Sequence, residues 1–326
     1  MLFEKAPPDV QALLPVPIKN LGLKLEGSPI QSYVEQLFKE LDAKGLKHFR
    51  PAFYLTSEWG CPSEEPVIGV PFYLADRRLG AIESAVNDIE NEREIMMYMR
   101  HESGHAFNYA YELYNTDEWR ELFGPFRRPY RDNYSFVPFS KNYVRHIAGW
   151  YAQKHPDEDF AETFAVWLTP RSNWREKYKN WPAMKKLRYV DRIAHEVGDK
   201  PPVRSLGETD FTVEDMEETI EDFYKSNTRD ESQEICDLPL DVDLDDIFLQ
   251  PIRSPKIAGA KRRRWSTITA KTSSTKSATG PVLGGRWSRR SWRPSRSRSM
   301  RSGSSSTSSA RTNRSSSCRS TSPRWS

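Results

Sequence analysis

Apolar positions spaced four apart mark where this chain is expected to coil into helices. Tyr33, Leu37 and Leu41 fall on one face of residues 29–46, with Ser28 placed to cap the first turn. Phe160, Phe164 and Leu168 form a second such stripe on residues 156–168, where Pro156 suits the first helical position. Between them, residues 89–114 contain no proline and one glycine and are rich in Glu, Met, Ala, Leu and Tyr. That composition predicts a long helix, buried around Met96, Met97, Met99, Ala106, Tyr109 and Leu113. A further helix is expected from about residue 181 to 197. Residues 51–57 and 67–74, rich in Phe, Tyr, Val and Ile, read as strands joined by a turn, and residues 21–25 as a short strand. Residues 119–142 are dense in Arg, Pro, Tyr and Phe without clear periodicity and read as a long ordered loop. The pattern predicts an α+β fold, mostly helical, with a small sheet preceding the long helix.

The long helix carries chemistry. Its segment Arg100-His101-Glu102-Ser103-Gly104-His105 is an HExxH motif. Two histidines four residues apart share a helical face and can reach one metal ion, while Glu102 faces the water that ion would hold. A catalytic zinc takes three protein ligands and leaves a position open, so a third donor is required. Glu158, on the helix at 156–168, is the leading candidate, with His155, Glu162 and His146 as alternatives. First-turn acids such as Asp157, Glu158 and Asp159 are favoured by the helix dipole in any protein. Glu162 lies deeper, among apolar neighbours, where a carboxylate needs a partner. It shares a face with Glu158 and can accept a hydrogen bond from the far nitrogen of a ligating histidine, His101 by preference. The strand at 68–74 is a candidate edge along which an extended peptide could pair.

HExxH followed by a helix bearing Glu158 and Glu162 resembles the gluzincin peptidases. There the first acid of such a pair is the third zinc ligand and the second an acceptor behind a histidine. The stretch from Glu158 to Phe164 is similar to the ligand helix of the anthrax lethal factor protease domain. In that domain a tyrosine seven residues before the ligand glutamate assists catalysis, and Tyr151 has that offset here. A longer resemblance, over about residues 21–204, is to a family of bacterial zinc-binding metallopeptidases named from their motif. It is carried by Pro71-Phe72-Tyr73-Leu74, by residues 100–105, by Glu121-Leu122-Phe123-Gly124 and by the run from Trp150-Tyr151-Ala152-Gln153 to Leu168-Thr169-Pro170. The resemblance implies one Zn²⁺ on His101, His105 and Glu158, Glu102 as general base, Tyr151 as oxyanion donor and a peptide or protein substrate. Tyr143 and His155 are substitutes for Tyr151. The same water could instead attack a non-peptide amide, or the zinc could be structural in a binding protein. Glu102 argues against the latter, since a structural site needs no base.

Charge divides the chain. Residues 1–246 hold 30 Lys and Arg against 45 Asp and Glu, a formal charge of −15, and no acid follows Asp246. The organisation expected is an N-terminal extension (1–20), a zincin-like metallopeptidase domain (21–204), an acidic helix and linker (205–250) and an Arg/Ser-rich tail (251–326). The tail lacks apolar periodicity and is expected to be disordered. It reads either as a nucleic-acid-binding arm or as a disordered appendage without selected function, such as a shifted reading frame would produce, and the abrupt change of composition favours the second. Three cysteines, odd in number and scattered, build no disulfide framework and suit a reducing cytoplasm. Neither a signal peptide nor a membrane span is expected.

Overall fold

The computed structural model describes residues 7–87, 89–130 and 134–229, with side chains as far as 226. In chain order the elements are α1 (Pro8–Gln11), α2 (Gln31–Ala43), β1 (Ala52–Thr56), β2 (Val67–Pro71), α3 (Arg77–Val86), α4 (Glu92–Ala110), α5 (Asp117–Phe123), α6 (Pro156–Leu168), α7 (Trp174–Lys177), α8 (Met184–Val197) and α9 (Ile220–Arg229). The fold is mostly helical with one two-stranded sheet among the described residues, the α+β class expected. No described helix is long and apolar enough to cross a membrane.

Helix α6 lies at the centre, with every one of its residues buried. Helix α4 crosses it at Gly104. A methyl group on Gly104 would sit 2.7 Å from the Cα of Ala161 and 2.9 Å from its carbonyl oxygen, so only hydrogen fits there. Phe107 and Phe164 stack beside the crossing with centroids 5.0 Å apart, and Phe49 meets Phe107 edge-on at 5.3 Å. The start of α4 is set by Asn91, whose side chain accepts from the backbone of Arg93 and Glu94 while Glu94 accepts from Asn91 N. One turn before the crossing, Arg100 donates two 2.7 Å bonds to Glu40 of α2, a nearly buried bidentate pair that fixes these two helices together.

The sheet departs from the sequence expectation in topology. Strands β1 and β2 pair parallel, in register from Ala52↔Val67 to Thr56↔Pro71, so a tight turn cannot join them and residues 57–66 travel back across. On that return Gly60 exchanges both backbone bonds with Gly69. Residues 68–74 are buried throughout, and Phe72–Ala75 is a 3-10 turn. The expected substrate-pairing edge is therefore covered; this strand packs the core. Residues 21–25 form no strand, because the chain coils into a 3-10 turn at Ile18–Leu21 and leaves it through Gly22 at φ 61°. Ser28 does not cap α2 either: its hydroxyl bonds to Leu25 O, and the helix begins at Gln31. The loop expected at 119–142 is helical at its start, in α5.

Both flanks of the expected domain contribute to the same core. Val10, Leu13 and Ile18 are buried together with Val213, Met216, Ile220, Phe223 and Tyr224, and Pro17 bridges Thr219. The acidic count of this later stretch concealed apolar positions, and residues 213–224 pack on the domain through a 3-10 turn at Val213–Asp215 and the start of α9. Residues 230–250 and the tail at 251–326 lie outside the described residues.

Replacing Gly104 by alanine tests the crossing. Alanine improves helix propensity by up to about 1 kcal/mol, yet overpacking against backbone costs about 1–3 kcal/mol. The expected outcome is a lower urea midpoint, with weaker metal retention because α6 is pushed away from α4; a stabilised variant with unchanged metal content would refute the constraint.

Candidate metal centre

The crossing of α4 and α6 brings three donor atoms to one point. His101 Nε2 and His105 Nε2 lie 3.0 and 3.2 Å from Glu158 Oε2, and 3.2 Å from each other. All three residues are buried, and this is the group among the described residues that could hold a metal ion. The histidines come from successive turns of α4, as their spacing requires. Glu158 comes from the first turn of α6, which His155 caps by accepting from Asp157 N and which Pro156 starts.

Carboxylates hold the two imidazoles from behind. His101 Nδ1 donates to Glu162 Oε1 at 3.0 Å, and His105 Nδ1 donates to Asp157 Oδ2 at 2.9 Å. With each Nδ1 hydrogen directed at a carboxylate, each Nε2 is the nitrogen left to ligate a metal once its own proton leaves. Glu162 also accepts from the backbone nitrogens of His146 and Ile147. Asp157 also accepts from Asn108 Nδ2 at 2.9 Å and Tyr109 OH at 2.5 Å.

In sequence, helix-dipole preference alone accounts for Asp157 and Asp159 as first-turn acids beside the candidate ligand Glu158. The structure separates them. Successive residues point about 100° apart around a helix, so Asp157 reaches His105, Glu158 the donor cluster, and Asp159 the Lys186 ammonium of α8 at 2.5 Å. All three are at most 2 % exposed, which dipole stabilisation of a solvated turn would not require. Asp157, with Asn108 and Tyr109, was missed; the available signal was a third acid adjoining the expected ligand on a helix with too few polar faces to solvate it.

The alternatives fall away from the cluster. His146 Nε2 donates to Met97 O, and His155 Nε2 donates to Arg128 O. Tyr143 lies under the Lys186 ammonium, 4.4 Å from its ring centre. Tyr151 does reach the cluster: its hydroxyl donates to Glu158 Oε1 at 3.2 Å, and its ring meets His101 edge-on.

Charge favours a cation here. Four buried carboxylates, Glu102, Asp157, Glu158 and Glu162, surround two imidazoles. Burial pulls His101 down, but hydrogen bonds to Glu158 and Glu162 and the charge of Glu102 outweigh it and raise its pKa to about 9. Burial likewise opposes the charge on His105, and Asp157 and Glu158 overcome it, leaving it well above its ordinary value. Glu158 is held well below the usual carboxylate range, as His105 and His101 outweigh its burial. Glu102 differs from all of these. Both of its oxygens are buried without a hydrogen-bond partner, and burial pushes its pKa up to about 7 despite the neighbouring histidines. An unsatisfied buried carboxylate is costly and is retained where it faces a ligand or a reacting group. Converging nitrogen and oxygen donors, excess buried negative charge and an orphaned carboxylate together fit a zinc ion and its water.

Residues 82–190, which include the whole cluster, match the model of the family described as "Putative zinc-binding metallo-peptidase". The segment that builds the site is thus similar to that family, and the match spans about a third of the chain. We find no match among curated proteins or among solved structures. The likeness to the lethal factor protease domain rests on sequence motifs alone.

Two measurements follow from the electrostatics. Protons that the carboxylates hold on His101 and His105 must leave when a metal ligates Nε2, so zinc affinity should rise with pH up to about 9 at His101. Titration calorimetry in buffers of differing ionisation enthalpy should register net proton release; none would contradict it. Asp157→Ala should weaken zinc binding about 10–100-fold by releasing the His105 ring, which competition with a chromogenic chelator measures.

Proposed function

We propose that the chain is a zinc-dependent peptidase of gluzincin type, with one ion held by His101, His105 and Glu158. Bound zinc supplies Lewis acidity, activating water and polarising the scissile carbonyl. Glu102 removes a proton from the attacking water and delivers it to the leaving amine. The observation that carries this assignment is its orphaned, buried carboxylate beside the donor cluster. A pKa near 7 lets such a group accept and return a proton at neutral pH.

Tyr151 is the proposed oxyanion donor. Burial raises its phenol pKa well above 10, so the hydroxyl keeps its proton and remains a donor. Its bond to Glu158 Oε1 supports a position beside the reacting carbonyl. Asp157 and Glu162 orient the two imidazoles. A purely structural zinc is disfavoured, since it would leave Glu102 paying a desolvation cost without a role. Attack on a non-peptide amide would use the same residues; the family description favours a peptide.

Three variants examine the assignment. Glu102→Gln should keep stoichiometric zinc by metal analysis and lower kcat/KM on peptides about 10²–10⁴-fold. His105→Ala should lose zinc and activity together. Tyr151→Phe should lower kcat about 10²–10³-fold with zinc retained. Full activity in Glu102→Gln would overturn the mechanism.

A further inference from the structure

A groove of about 340 Å³ opens on the motif-bearing face of α4, lined by Met97, Arg145, His146, Ile147 and Trp150 among others. Met97 stands one turn before His101 on the same helical face, and Trp150 immediately precedes Tyr151. The groove wall is also bonded to the metal centre. The backbone nitrogens of His146 and Ile147 donate to Glu162, whose other contact is His101, and Tyr151 donates to Glu158. The groove and Tyr151 are thus parts of one loop, adjoining in sequence at Trp150.

Arg145 is the charged group there. Its guanidinium lies over the rings of Trp150, Trp181 and Phe139, at 4.2, 5.2 and 5.3 Å from their centres. Its backbone is held as well, since Arg145 N donates to Tyr178 OH. No side chain among the described residues forms an ion pair or hydrogen bond with the guanidinium, although it is exposed on a chain rich in carboxylates. Among the described residues Arg100 pairs with Glu40, and Arg192 with Glu118 and Glu196, whereas Arg145 is held by rings alone.

The backbone that supplies the rings is strained. Phe139 and Trp150 both have φ of 59°, in the left-handed region that bulky side chains rarely enter. Strain of this kind persists where the surrounding structure over-determines it, and it clusters at ligand-binding positions. Both residues so strained touch the same guanidinium. An arginine stacked on aromatic planes, its forked donors open to a groove, is pre-organised for a carboxylate.

We propose that Arg145 binds a carboxylate of the substrate, making the groove beside Tyr151 a subsite for an acidic residue or for a free peptide C-terminus. This assignment rests on the peptidase reading above and adds a substrate preference to it. Arg145 acts here by recognition, without touching the reacting atoms.

The test uses the full zinc-loaded chain and matched peptides carrying Glu or Gln at each position around a cleaved bond, each with a free or amidated C-terminus. Glu should exceed Gln by about tenfold or more in kcat/KM at one position; if the free terminus alone gives the preference, the terminus is the carboxylate recognised. The ratio should collapse to about 1 in Arg145→Gln and survive in part in Arg145→Lys, whereas loss of a mere structural brace would slow both peptides equally. Binding is read separately, by fluorescence polarisation of the same peptides on zinc-loaded Glu102→Gln, with and without Arg145→Gln. Turnover or binding without a carboxylate preference, or a preference that survives Arg145→Gln, overturns the subsite. Carboxylate-dependent binding with no turnover of any peptide by the unmodified chain would keep the subsite and reject the peptidase reading.

Discussion

The close approach of two helix backbones at Gly104 and Ala161 governs the rest of this structure. Donor side chains on α4 and α6 are short, and they converge to within 3.2 Å only because the helices touch without a side chain between them. The glycine lies inside the HExxH motif, at one of its two unspecified positions. Phe107 stacked on Phe164 beside the crossing restrains the angle that the contact alone would leave free, while Arg100 with Glu40 ties α4 to α2. Packing thus performs the step that makes two helices into one site.

The second constraint is electrostatic. Burying Asp157, Glu158, Asp159 and Glu162 on a single helix is tolerable only if each finds a partner, and α6 solves this by sending consecutive acids in different directions. Asp157 and Glu162 brace the imidazoles, Asp159 holds Lys186 of α8, and Glu158 is left to the donor cluster. Among the described residues, neither oxygen of the buried Glu102 carboxylate has a hydrogen-bond partner. That asymmetry, more than the motif, separates a group available for chemistry from groups committed to support.

The irregular segment from Phe139 to Tyr151 joins these two constraints to the surface. It lends backbone donors to Glu162 and a hydroxyl to Glu158, and its aromatic side chains hold Arg145 outside. Left-handed conformations at Phe139 and Trp150 belong to the same arrangement. Backbone donors at His146 and Ile147 are committed to a buried acceptor, and the rings of Phe139 and Trp150 to a cation.

Much of this was legible in the chain itself. Apolar stripes at helical spacing identified α2 and α6, with the limits of α6 as observed, and composition identified α4. Histidine spacing determined that His101 and His105 share a face, and the i, i+4 relation of Glu158 and Glu162 determined the same for that pair. Sequence could not reveal the parallel pairing of β1 and β2, the covered edge at Gly69, or the burial of residues 213–224, because local pattern carries no information about which distant segment supplies a partner. The role of Asp157 was hidden for a related reason: a first-turn acid looks identical whether it faces water or a histidine. What the sequence determined alone were the faces of individual helices, a matter of rotation per residue. Only the tertiary structure decided which faces meet, because that depends on how closely two backbones can approach.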